Sequence, residues 1–120
     1  MAVLRNSEIQ AIEGDEGTDI KQYFDPHNTL NGISYSIAHV TLEPGKETKL
    51  HSLTSSEVYY ILEGSGTFVM DKDEFEIKRD DSVYVPPNTG QKIKNTGSSI
   101  LKFLCIVEPA WTQDCEKILE

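Results

Sequence analysis

The sequence is short of cysteine, of basic residues and of long apolar runs, and each shortage removes a class of protein. Two cysteines among 120 residues, Cys105 and Cys115, lack Cys-X-X-Cys spacing. Neither a disulfide framework nor a zinc ribbon is expected, and both read as reduced thiols. Eleven Lys and Arg stand against twenty Asp and Glu, a formal net charge of −9, and the basic residues are scattered. No nucleic acid is expected as partner, nor an anionic lipid surface. No apolar run exceeds five residues, as in 103–107, against the roughly 20 that a membrane helix requires, so no membrane association is expected. The first residues lack the apolar stretch of a secretory signal, which makes a cytoplasmic location the expectation. A Gly-rich phosphate loop, a Gly-X-Ser-X-Gly elbow and a His-Glu-X-X-His pair are missing too.

What is there is β-strand sequence. Short segments rich in Val, Ile, Tyr, Phe and Thr recur, each closed after eight to twelve residues by Gly, Pro, Asn or Asp. The predicted strands are 32–42, 57–62, 66–70, 74–77, 82–85, 91–95 and 100–107. Glu43-Pro44-Gly45 sets a turn, Asp71-Lys72-Asp73 caps a hairpin, and Pro86-Pro87-Asn88 ends a strand. Long helices have no support; a short helical turn after Thr112 is expected, with Thr112 as its cap. The chain reads as one all-β domain, with no linker or repeat to divide it. In 101–107 the alternate residues Leu101, Phe103, Cys105 and Val107 share one face, while Leu104 and Ile106 share the other. Segment 57–62 is similarly two-sided, and strands apolar on both faces suit packing between sheets or against a second subunit. The parity of 57–62 also sends Glu57 and Tyr59 to one side and Tyr60 to the other.

Polar residues of metal-ligand type interrupt the β sequence in two blocks, 45–64 and 80–95. In the first stand Gly45, His51, Leu53, Glu57 and Gly64; in the second, Pro86, Gln91 and Asn95. The order and spacing of these residues resemble the paired motifs of the cupin superfamily, over roughly residues 32–107. There a glycine, a His-X-His pair, a glutamate and a glycine make one half of a metal site, and a proline-containing strand with a histidine and an asparagine makes the other. The resemblance implies a single-domain, cupin-type jelly-roll β-barrel. It divides the chain into an N-terminal segment 1–31, a barrel 32–108 and a C-terminal tail 109–120. The family's habit of pairing barrels implies a homodimer in which the N-terminal segment, with a strand near 18–24, packs on or swaps with a partner.

Two of the four usual ligands differ. Leu53 stands where the second histidine of the pair would be, and Gln91 where the second-motif histidine would be. Asp80 and Asn88 replace glycines, and both residue types tolerate left-handed turns. What the resemblance leaves for a divalent metal is His51, Glu57 and the amide oxygen of Gln91. One imidazole, one carboxylate and one neutral amide hold a metal less tightly than a full site. The oxygen-rich set favours Mn²⁺ or Fe²⁺, while Ni²⁺ or Zn²⁺ can intrude by the Irving–Williams order.

The expected activity is on a small organic molecule, of isomerase or oxygenase type, with the metal as Lewis acid or redox centre and with Glu57 and Tyr59 as candidate catalytic groups. Two other readings compete. One is a non-catalytic metabolite-binding cupin that has lost metal chemistry; the other is a metal-free sugar epimerase or isomerase using His51 and Tyr59. Residue by residue there are plainer roles: His51 as a hydrogen-bonded strand-end histidine, Glu57 as a solvated carboxylate, Gln91 as an exposed amide, and Tyr59 as core. His39 lies on an apolar strand and is as readily structural as functional, and the place of Trp111 is open. Mid-strand Cys105 is expected to be buried with a raised pKa, and inert.

Overall fold

A computed structural model describes residues 3–120; Met1 and Ala2, which begin the N-terminal segment, lie outside the described residues. Ten strands form two five-stranded antiparallel sheets that face each other as a jelly roll. In chain order they are β1 (Thr18–Gln22), β2 (Ser36–Leu42), β3 (His51–Leu53), β4 (Ser56–Glu63), β5 (Ser65–Met70), β6 (Asp73–Lys78), β7 (Ser82–Val85), β8 (Gln91–Lys94), β9 (Leu101–Glu108) and β10 (Glu116–Ile118). One sheet runs β1-β2-β9-β4-β7 and the other β10-β3-β8-β5-β6. The described residues contain no helix long and apolar enough to cross a membrane.

Seven of these strands fall where the sequence pattern puts them, within a few residues. The first begins at Ser36 rather than Gly32: Leu30 and Asn31 take positive φ in a turn that ends at Asn31, and residues 32–35 run on as irregular chain before the ladder starts. Turn chemistry acts as expected. Gly45 has φ +79 and Lys46 N–H donates to Glu43 O at 3.2 Å, so Pro44 and Gly45 occupy the corner positions of a turn that needs a left-handed residue. Asp71, Asp80 and Asn88 also take positive φ. Gly64 is needed twice over: its φ is +89, and a Cβ there would lie 2.7 Å from Ile100 O.

Alternation sorts the interior. On β9 Leu101, Phe103 and Val107 are buried, while Leu104 and Ile106 on the other face are half-buried. Leu42, Ile61, Phe68, Ile93 and Leu101 are wholly inaccessible and pack together. Each such side chain contributes about 1.5–3 kcal/mol by leaving water. Asn95 closes this end: its Nδ2 donates to Leu42 O and Ser99 O, both at 2.9 Å.

The segments outside the predicted barrel complete it. β1 pairs with β2 of the same chain, Thr18 opposite Leu42. The short helical turn is a 3-10 turn at Gln113–Cys115 after Thr112. It leads into β10, whose pairing with β3 sets Glu116 opposite Leu53. Three further bonds fasten this strap: Ser55 Oγ to Pro109 O at 2.7 Å, Ala110 N–H to Ser34 O at 2.8 Å, and Trp111 N–H to Ser36 Oγ at 2.9 Å.

Candidate functional site

The two sheets separate at one end around a cavity of about 250 Å³. Inward-facing residues of β1, β2, β4 and β9 supply one wall, and β3 with the strap supplies the other. His51, Glu57 and Tyr59 all line it, and so do Cys105, Trp111 and Glu116. Gln91 is not among the lining side chains; it is 1% exposed and sits directly opposite His51 across the β3–β8 ladder. Leu53, also on the wall, is an aliphatic group where the family's second histidine would be.

Each polar side chain here has a defined state. His51 Nδ1 lies 2.7 Å from Lys49 O. A carbonyl oxygen only accepts, so Nδ1 carries a proton, and in the neutral form of the ring the lone pair falls on Nε2. Glu57 is 5% exposed and its Oε1 has no hydrogen-bond partner. Burial pushes its carboxyl up to about 7, against the opposing influence of His51, Cys105 and Gln91 beside it. Burial and then the neighbouring Glu57 drive the Tyr59 hydroxyl well above its ordinary value, and the same two causes act on the Cys105 thiol. Both are therefore neutral at physiological pH. Tyr59 O–H donates a short hydrogen bond to Gln91 Oε1, which uses one lone pair of the amide oxygen read from the sequence as a metal donor.

The remaining candidates lie apart. His39 is on the outer face of β2 near Tyr23, ring centroids 6.0 Å apart, and does not line the cavity. Tyr60 points outward to Asp80 at 2.9 Å. Trp111 and Glu116 were not legible as site residues. They meet the cavity because the strap folds back onto β3, and within the strap Trp111 Nε1–H donates to Glu116 at 3.0 Å. Cys105 is inward by its parity with Phe103, so the sequence did place its thiol, though not its nearness to Glu57.

A single jelly roll that closes a small cavity with a strand-end histidine and an inward glutamate defines a small barrel protein of the cupin type. The Cupin domain family matches residues 38–107, and the chain belongs to that family. An uncharacterized protein of Methanocaldococcus jannaschii is 40% identical over 106 residues, covering 88% of this chain and 84% of that one. Among solved structures, Pac13 of Streptomyces, described as a nucleoside dehydratase, superposes with TM-score 0.76 at 25% identity over 95% of this chain and 87% of its own. The oxalate decarboxylase of Bacillus subtilis, described with Mn(II) centres, superposes with TM-score 0.81 at 26% identity, over 94% of this chain but 30% of that one. Relatives on this fold thus differ in chemistry, and the fold alone does not choose a reaction.

Proposed function

We propose that this cupin binds a small organic molecule in the barrel cavity, with His51 and Glu57 as its polar anchors and proton-transfer groups. The observation that carries this reading is the buried Oε1 of Glu57, which has no hydrogen-bond partner on a residue that lines the cavity beside His51, whose Nδ1 is turned to Lys49 O. An unsatisfied buried oxygen costs about 1–3 kcal/mol, which a donor group on a ligand would recover. A carboxyl poised near 7 is matched to accepting and returning a proton at neutral pH. His51 Nε2 is a second base in the same space, and Tyr59, fixed by Gln91, shapes the floor. Such a pair suits isomerase-type chemistry, in which a proton leaves one carbon or oxygen and returns to another. The same cavity serves as a metabolite-binding pocket where no proton is moved.

A second reading adds a divalent metal, and the Mn(II) centres described for the oxalate decarboxylase motivate it. His51 Nε2, Glu57 and the lone pair of Gln91 Oε1 not used by Tyr59 are the donors. They fit such an ion only loosely: Leu53 is no ligand, and among the described residues no three His, Cys, Asp or Glu side chains gather as a metal site. Bound there, Mn, Fe, Ni or Zn would supply a Lewis acid for an oxygen of the ligand.

Elemental analysis, then melting curves of chelator-treated protein, separate the two. An organic ligand that raises the melting temperature without metal, an effect lost in Glu57→Ala, supports the first reading. Stoichiometric metal that disappears in His51→Ala supports the second. No stabilisation by either kind of addition contradicts both.

We also propose a homodimer formed through the outer face of the β1-β2-β9-β4-β7 sheet, where Leu104 and Ile106 are half-buried and Tyr84 is 58% exposed. Exchange of the N-terminal segment with a partner would reinforce it. Sedimentation at micromolar concentration gives twice 13.5 kDa if this holds and 13.5 kDa if it does not.

A further inference from the structure

The cavity's charged groups are nearly all of one sign. Asp15, Glu57 and Glu116 line it with a single imidazole, His51, and none of its lining side chains is a Lys or Arg. Asp15 Oδ2 accepts from Lys49 N–H at 2.9 Å and Glu116 Oε1 accepts from Trp111 Nε1–H at 3.0 Å, so each of these two carboxylates holds a defined position. Glu57 Oε1, 5% exposed as a residue, has no partner and is the innermost of the three acids. An anionic ligand entering here would meet three acidic side chains and no Lys or Arg, inside a chain of net charge −9. Oxalate, the substrate named for one structural relative, is an ill match for such a lining.

Three aromatic rings share the same walls: Trp111 at the mouth, with Tyr59 and Phe103 farther in, the latter pair with centroids 5.6 Å apart. Aromatic faces attract organic cations through their quadrupole, and a carboxylate nearby adds to that attraction. The rest of the lining is mostly aliphatic, with Val40, Leu53 and Val107 among it, and is interrupted by the polar side chains of Thr18, Gln22, Ser36 and Thr48. A volume of about 250 Å³ is far more than an inorganic ion fills, and an apolar lining rewards an apolar body.

From these observations we infer that the ligand of this cavity is a small organic cation, an ammonium group carried on an apolar body, seated between Glu57, Glu116 and the Trp111 ring. The inference rests on the reading of the cavity as a small-molecule site and names the chemical class that site takes. Glu116 and Trp111 are then specificity-determining residues supplied by the C-terminal strap.

Isothermal titration of chelator-treated full-length protein at pH 8 tests it with two matched pairs and one anion. The pairs are choline against 3,3-dimethylbutan-1-ol, and phenethylamine against 2-phenylethanol; the anion is oxalate. At least one cation binds about tenfold or more tightly than its uncharged counterpart, the scale expected of a desolvated cation–aromatic contact with a carboxylate beside it. Glu116→Gln removes most of that preference, Trp111→Leu weakens the cation more than the alcohol, and raising the salt concentration shrinks the gap in the unaltered protein. Equal binding of cation and alcohol, or tighter binding of oxalate, overturns the charge inference while leaving the cavity a small-molecule site. Failure of every probe to bind overturns both.

Discussion

The barrel has two ends, and the same strands build both. β4 passes from Glu57 and Tyr59 at the cavity to inaccessible Ile61, β9 from Val107 and Cys105 to inaccessible Leu101, and β2 from Ser36 and Ala38 to inaccessible Leu42. At the closed end aliphatic groups and Phe68 fill the space between the sheets. At the open end polar groups replace them: a carboxyl with one oxygen unpartnered, a histidine held by its Nδ1, and a tyrosine tied to a buried amide. The difference teaches where stability and function separate in a small jelly roll. One end is packed tightly enough to hold the shell, which lets the other keep a buried polar site that packing alone would not favour.

That contrast can be broken from either end. The largest effect belongs to the closed one: Leu42→Ala, emptying a wholly buried side chain that does not line the cavity, costs about 2–5 kcal/mol in a urea melt and leaves the open end's ligand response intact wherever the chain is still folded. Next comes Glu57. Folding raises its pKa, so between the ordinary carboxylate range and about 7 the folded chain keeps a proton that the unfolded chain has released. Stability associated with this group is therefore fully present at low pH and falls as pH rises through about 7. Glu57→Gln abolishes that slope, and at pH 8 it is more stable than the parent by up to about 3 kcal/mol, while near pH 4 the two melt alike.

Tyr59→Phe is smaller. It leaves Gln91 Oε1 buried without its donor and costs about 1–3 kcal/mol, read by the same melts. Smallest is Asn88→Gly in the turn before β8. Its φ of 62 suits glycine, but glycine also frees the unfolded chain, so the net change is within about 1 kcal/mol of zero.

The strands and turns of the shell were more legible in the sequence than the polar site, and physics says why. Alternation along Leu101, Phe103, Cys105 and Val107 fixes which side is inward before any partner strand is known, and a turn such as Pro44-Gly45 announces itself locally. The open end depends on contacts between residues far apart in the chain. Spacing brought attention to His51, Glu57 and Gln91, and the β3–β8 register does set His51 against Gln91. What spacing could not reveal is that Gln91 Oε1 accepts from Tyr59, nor that it lies off the cavity wall. Nor could it place Trp111 and Glu116. A three-residue strand such as β10 carries too little pattern to be read, and its position follows from pairing with β3. β3 escaped for the same reason, its three residues being obscured by the polar block around them.

The most direct test of the account is the ionisation of Glu57 in the intact protein, followed by NMR of its ¹³C-labelled side-chain carboxyl in chelator-treated samples. An inflection near pH 7 that shifts when a ligand occupies the cavity is what a buried carboxyl with one unpartnered oxygen at a binding site predicts. Titration in the ordinary glutamate range, unmoved by any added molecule, would mean that the group is solvated or already paired, and would contradict the site described.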